Sequence, residues 1–148
     1  MIILSRLADY GVIIATHLAG DPERQVNATS VAEATRLPQA TVAKVLKRLA
    51  HAGIVTGARG AAGGYRLARS PAAISIAEVV AAIDGEIGVT QCSSHVEGCE
   101  RTHFCPTRPH WAHINRAVGQ ALGAVSLAEM VRPDLLPTRP SPQVHLSP

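Results

Sequence analysis

The chain has 148 residues and a formal net charge of +3, with 47% hydrophobic and 17% charged residues. That length suits one packed core with an appendage rather than two independent cores, and no apolar run approaches the ~20 residues of a membrane-spanning helix. An opening without the pattern of a secretory leader predicts a cytoplasmic protein with no membrane association. Its three cysteines then point to metal or redox chemistry rather than to a disulfide framework.

In chain order, "SRLADYGVIIATHLAG" reads as a first helix with Ser5 as N-cap. Leu7, Gly11, Ile14 and Leu18 share one face, and Gly20, Asp21 and Pro22 end it. "TSVAEATRLP" reads as a short helix entered through Thr29 or Ser30 and stopped before Pro38. After a tight turn, "QATVAKVLKRLAHAG" places Val42, Val45, Leu46 and Leu49 at i, i+3, i+4 and i+7, with Gln39, Thr41, Lys44, Lys47 and Arg48 on other faces and Gly53 at the end. This third helix is apolar on one side and basic on the other. "IVTGARG" and "GGYRLA" are strand-like runs around a glycine-rich turn, a hairpin with Arg59 at its tip. "SIAEVVAAIDG" is a fourth helix that opens with a Ser75–Glu78 capping box and buries Ile76, Val79, Val80 and Ile83 before Gly85.

Beyond an aperiodic cysteine loop, Trp111, Ile114, Val118, Ala121 and Val125 advance in steps of three and four. That narrow seam is suited to pairing with the same helix of a second subunit. The fold expected is therefore mainly α: a winged helix-turn-helix DNA-binding domain over residues 1–84, with a small β-hairpin wing. A cysteine-containing loop over 85–109 and a long C-terminal dimerisation helix over 110–131 follow. The tail, 132–148, carries five prolines and should be disordered or extended.

Charge distribution indicates the partner. From Arg36 to Arg69 the chain carries seven of its fourteen Lys and Arg without a single acid. A block of one sign next to a helix-turn-helix and a hairpin fits double-stranded DNA, whose phosphates release counterions when neutralised. In that arrangement the third helix enters the major groove and the wing reaches the backbone or minor groove. Gln39 and Thr41 are expected to read bases, Lys44, Lys47 and Arg48 to meet phosphates, and Arg59 to contact DNA from the wing. A merely solvated basic face is the plainer alternative. Enzymatic activity is not expected: the sequence holds no paired carboxylates and no nucleophile elbow, and "RGAAGG" lies in a hairpin rather than between a strand and a helix.

All three cysteines, Cys92, Cys99 and Cys105, stand in "QCSSHVEGCERTHFCPTRPHW", with six and five residues between them. Structural zinc sites usually take cysteine pairs two to four residues apart, so this looser girdle favours an iron–sulfur cluster, with zinc and a thiol switch as alternatives. Three thiolates leave one coordination position to fill. His103 and His110 are the local candidates.

Several stretches resemble one family. "LSRLADYGVII", the wing "RGAAGGYRLA", "ISIAEVVAAIDG", the three spaced cysteines and "VSLAEMV" are similar to the iron–sulfur-responsive winged-helix regulators typified by IscR and NsrR, most closely the branch that regulates the SUF cluster-assembly operon. The likeness runs from residue 1 to about 131. It implies a homodimeric repressor of cluster-assembly genes whose DNA affinity follows the state of a bound cluster, 4Fe–4S in preference to 2Fe–2S. A nitric-oxide or redox-tuned repressor of the same family is the nearest alternative, and a zinc- or thiol-based binding module a more distant one. The chain departs from the IscR pattern at Arg108, where those members carry a histidine ligand; a guanidinium stays protonated and cannot ligate. NsrR-like members use a first-helix aspartate of the partner subunit, and the matching residue is Asp9. The resemblance thus implies Cys92, Cys99, Cys105 and a second subunit's Asp9 as ligands. Ala43 stands where IscR-like members place a base-reading acid, so operator preference need not be shared.

Overall fold

The structure is a computed structural model that describes residues 3–90, 99 and 104–132. Its elements are helix α1 (Arg6–Ala19), α2 (Ala28–Thr35), α3 (Gln39–His51), strands β1 (Val55–Ala58) and β2 (Gly64–Leu67), a 3-10 turn at Pro71–Ala73, then α4 (Ile76–Asp84), α5 (Arg108–Gly123) and α6 (Leu127–Met130). This is the mainly helical winged fold expected from the sequence.

Helix ends follow local chemistry. The Ser5 side chain accepts from the Ala8 amide and starts α1. Entry to α2 falls earlier than read: Asn27, not Thr29 or Ser30, is the N-cap and accepts from the Ser30 amide at 2.8 Å. Thr29 and Ser30 then lie inside the first turn, because an Asn cap two or three residues upstream captures one of the free amides first. Helix α3 ends in a paired C-terminal motif. The Ile54 amide reaches Leu49 O and the Gly53 amide reaches Ala50 O, with Gly53 at φ +71° as that left-handed position requires.

The core lies among α1, α3 and α4 and is closed from above by α2 and the hairpin. Ile14, Val42, Leu46, Leu49 and Val79 are each wholly buried and come from positions of the expected apolar faces, and Val31 of α2 joins them. Close approach of α1 to α4 depends on Gly11, where a Cβ would lie 2.9 Å from Ile83 Cγ1. In the wing, Val55 pairs with Leu67 and Ala58 with Gly64 in antiparallel register. Its base is tied to the rest of the domain, since Val26 and Tyr65 exchange both backbone hydrogen bonds, at 2.9 and 2.8 Å.

The C-terminal helix departs from the reading. What the sequence presents as one helix over 110–131 is two: α5 starts at Arg108, with Pro109 in its first turn, and stops at Gly123. Val125, expected on the seam, instead accepts a hydrogen bond from the Ile76 amide at 2.9 Å, and the Leu127 amide returns one to Ile74 O. The poor helix former Gly123 weakens the end of α5, and Ser126 then caps a new helix whose Leu127 is fully buried. The chain is thereby sewn back onto the start of α4. Among the described residues no helix is long and apolar enough to cross a membrane. The tail beyond Arg132 lies outside the described residues.

Candidate functional site

Helix α3 presents the expected basic face. Lys44 and Lys47 are exposed, Thr41 is half-buried, and exposed Gln39 donates from Nε2 to Thr29 Oγ1 at 2.8 Å, which ties the start of α3 to α2. Across from this face stands the wing with exposed Arg59. Lys47 borders hollows on either side of the helix. One, of about 490 Å³, is lined by Asn27, Ala50, Arg59, Gly60 and Tyr65 among others. The other, of about 900 Å³, runs between α3 and the end of α4 and is lined by Lys44, Arg48, His51, Asp84 and Gly85 among others.

The seven cations of the acid-free block are not equivalent. Among the described residues, the ion pairs of this block belong to Arg66, 3.8 Å from Glu23, and Arg69, 2.7 Å from Glu78. Both acids lie outside the block in sequence, a pairing that charge counting along the chain could not show. Arg48 also differs from its neighbours: half-buried, it donates from Nη1 to Ile83 O at 2.5 Å. No local signal in the sequence marks that contact, which spans thirty-five residues. Arg36, Lys44, Lys47 and Arg59 thus carry the charge left facing outward, the last three on a helix and a wing tied down by the Ile54–Leu49 and Val26–Tyr65 backbone hydrogen bonds.

Of the candidate ligands, Cys99 and Cys105 are both half-buried thiols, while Cys92 and His103 lie outside the described residues. Cys105 Sγ sits 3.2 Å from Thr107 Oγ1, and Thr107 is the N-cap residue of α5. His110 is exposed in the first turn of α5, as is Arg108. Asp9 is exposed in the first turn of α1, whose cap Ser5 donates to Asp84 Oδ1 at 2.7 Å. Among the described residues no three His, Cys, Asp or Glu side chains converge within one protomer. The donor set is nonetheless chemically coherent with a soft metal centre: thiols within one short segment, none of the described ones in a disulfide, and an exposed carboxylate on a separate helix.

The cysteine segment is anchored at both ends. It leaves α4 through Gly85, at φ +83°, and its first stretch is held where the Val89 amide donates to Asn115 Oδ1 of α5 at 3.0 Å. It re-enters helix at Arg108, whose amide reaches Cys105 O. Helix α5 has no fully buried residue: Trp111, Val118 and Leu122 are half-buried, and Ile114 remains 40% exposed.

The chain can be set beside known proteins. A family model described as Rrf2, iron-dependent transcriptional regulator, matches residues 4–133. The HTH-type transcriptional regulator IscR of Xenorhabdus nematophila is 31% identical over 110 residues, 74% of this chain and 66% of that one. The IscR of Aliivibrio salmonicida is 28% identical over 118 residues, 80% of this chain and 68% of that one. Among solved structures, CymR, the global cysteine regulator of B. subtilis, superposes with a TM-score of 0.70 at 27% identity, covering 88% of this chain and 97% of that one. The T. potens IscR gives 0.67 at 27% identity, covering 88% and 86%. Those relatives are transcriptional regulators, not enzymes.

Proposed function

The chain belongs to the Rrf2 family of helix-turn-helix transcriptional regulators, and from that premise we propose that it senses an iron–sulfur cluster and represses cluster-assembly genes of the SUF type. In this reading it is a cytoplasmic homodimer. Gln39 and Thr41 read bases in the major groove, Lys44 and Lys47 meet phosphates, and Arg59 adds a contact from the wing. Cys92, Cys99 and Cys105 of one subunit hold a cluster, 4Fe–4S in preference to 2Fe–2S, and Asp9 of the second subunit completes it.

One observation carries the reading: the cysteine segment is bracketed by α4, which packs on the reading helix, and by α5, whose outward Ile114 offers a surface to a second copy. That arrangement supports a site for whatever the cysteines bind between the DNA-facing head and the proposed dimer contact. A bound cluster would supply a centre lost on oxidation, and Asp9, a harder ligand than the thiolates, would make it the more labile. The chain's own residues supply the rest: the thiolates anchor, the carboxylate crosses between subunits, and the basic head responds as a two-state element.

Purification without oxygen, iron and sulfide counts, and a visible spectrum test it. Charge-transfer bands that bleach in air, with a gel-shift affinity that changes on bleaching, are expected. Zinc without sulfide, or equal affinity before and after bleaching, would overturn the sensing role.

A further inference from the structure

We infer that Arg48 is a positioning residue that couples the reading helix to the cysteine segment, and that it is not a phosphate contact like its neighbours Lys44 and Lys47. The inference deepens the proposed function and rests on the cysteine segment being the sensor.

The half-buried guanidinium is engaged by the protein itself. Ile83 is next to last in α4, so its carbonyl has no partner within its own helix, and Arg48 Nη1 supplies one at 2.5 Å. A cation at that end also meets the negative pole of the helix. Arg48 and Ile83 both line the hollow of about 900 Å³ between α3 and the end of α4, so the contact joins the two helices at its wall. Lys44 and Lys47, on the same side of α3, are exposed instead.

The place Arg48 grips is a joint. Ile83 is the side chain against which Gly11 of α1 packs, with a virtual Cβ 2.9 Å from Cγ1. The next residue, Asp84, accepts from Ser5 Oγ, the cap of the helix that carries Asp9. Then comes Gly85, at φ +83° and with no atom within 4 Å of where a Cβ would stand, where the backbone turns into the cysteine segment. Three consecutive residues thus connect the reading helix, the helix with the candidate carboxylate ligand and the cysteine segment. A shift of the segment pulls on the last turn of α4, and Arg48 passes that shift to α3, where Lys44 lies one turn earlier on the same stripe. Cut the Arg48 link and the head still binds DNA but no longer follows the segment.

The test uses the full chain, loaded and after iron chelation, on a duplex selected from a random pool with the wild-type protein. For each state the dissociation constant is measured across a salt series for wild type, Arg48→Met and Lys47→Met. Lys47→Met should flatten the slope of log affinity against log salt by about 0.9, one phosphate contact. Arg48→Met should leave that slope as in wild type, while the ratio of affinities between the two states collapses toward one. A slope lower by about 0.9 with the ratio intact would make Arg48 a phosphate contact, and an intact ratio with an unchanged slope would equally overturn the coupling role. If wild type itself shows no ratio, the sensing reading fails and this inference with it; a ratio in wild type that survives in the variant removes this inference alone. Should Arg48→Met not fold by circular dichroism, Arg48→Gln serves in its place, polar but too short to reach Ile83.

Discussion

Ser75 and Ser126 face each other in an isolated antiparallel bridge, and each is the N-cap of its own capping box, with Glu78 and with Glu129. The two stretches match in pattern, ISIAEVV at 74–80 and VSLAEMV at 125–131. Their caps pair so that Ile76 donates to Val125 O and Leu127 donates to Ile74 O, both at 2.9 Å. The return of the chain from α5 is thus locked to the start of α4, which fixes α5 relative to the reading head. Ser75→Ala and Ser126→Ala should each cost about 1 kcal/mol, the usual value of an N-cap. Because the caps share a bridge, the double variant should depart from additivity by more than about 0.5 kcal/mol in urea melts. Strict additivity would mean that the two stitches act independently.

The same boxes predict a pH response. Glu78 is held below its ordinary value of 4.5 first by the hydrogen bond from the Ser75 backbone and then by Arg69. Glu129 is lowered by the Ser126 backbone amide and then by the Ser126 hydroxyl. Carboxylates lowered in the folded state stabilise above their unfolded pKa, and that contribution disappears as pH falls through the folded value. The stability gap between wild type and Glu78→Ala should therefore be constant at neutral pH and close progressively below about 4.5. Both acids lie at the surface, so the gap is small and shrinks in salt. Melts at several pH values check it; a gap that widens on acidification contradicts the assignment.

Most of the head is legible in the sequence because its signals are local. Apolar residues at three- and four-residue steps locate α1, α3 and α4, and Ser5, Gly53 and the Ser75 capping box mark their ends. Signals that compete locally misplace an element: Asn27 outranks Thr29 and Ser30 as a cap, and the apolar spacing through Val125 continues past the point where the backbone leaves the helix. Contacts between distant segments leave no trace in periodicity. Charge counting groups Arg48, Arg66 and Arg69 with Lys44 and Lys47, whereas the fold engages the first three with α4 or with acids. For the ligand set, Asp9 is an ordinary first-turn acid within one protomer, and only the family resemblance singles it out.

The wing supplies a stability prediction. Gly64 has φ +152°, and a Cβ there would stand 2.7 Å from Val26 O, a backbone atom fixed by its own pairing with Tyr65. Gly60, at φ +101° on the loop, would meet nothing within 4 Å. Gly64→Ala should therefore combine backbone strain of about 1–3 kcal/mol with a clash and loosen the base of the wing, while Gly60→Ala incurs strain alone. Thermal melts should rank Gly64→Ala as clearly less stable. Equal melting temperatures would mean that the wing is not pinned by Val26.

The proposed dimer contact can be probed where it is separable from folding. Ile114 is 40% exposed within the protomer, so a charge there has little effect on the isolated fold. In a two-fold interface it is buried twice, at about 1–3 kcal/mol per unpaired polar group. Ile114→Asp should leave the circular dichroism spectrum and melting of the protomer near wild type while weakening association at least tenfold. Val118, half-buried already, should lose stability and association together as Val118→Asp. Sedimentation velocity distinguishes the two. An intact Ile114→Asp dimer at low micromolar concentration would place the interface away from α5.

Asp9 provides the sharpest test of the proposed centre. It is exposed, on the first turn of α1, and is tied through Ser5 and Asp84 to the point where the cysteine segment begins. Within one protomer a first-turn acid needs no further role than favouring the helix N-terminus. In the dimer the same carboxylate is proposed to close the other subunit's site, because Arg108 occupies the position where a histidine would otherwise ligate. These roles separate on substitution. Loss of a dipole contact leaves a bound cluster untouched, whereas loss of a ligand leaves one iron exposed to water and oxygen. Asp9→Ala should keep the fold and the dimer, bleach in air several times faster than wild type, and bind DNA with an affinity that no longer follows the bleaching. His110→Ala and His103→Ala should match wild type in all three respects. If His110→Ala loses the visible bands while Asp9→Ala keeps a wild-type lifetime, the site closes within its own loop, and the route from cluster to head runs through the cysteine segment alone.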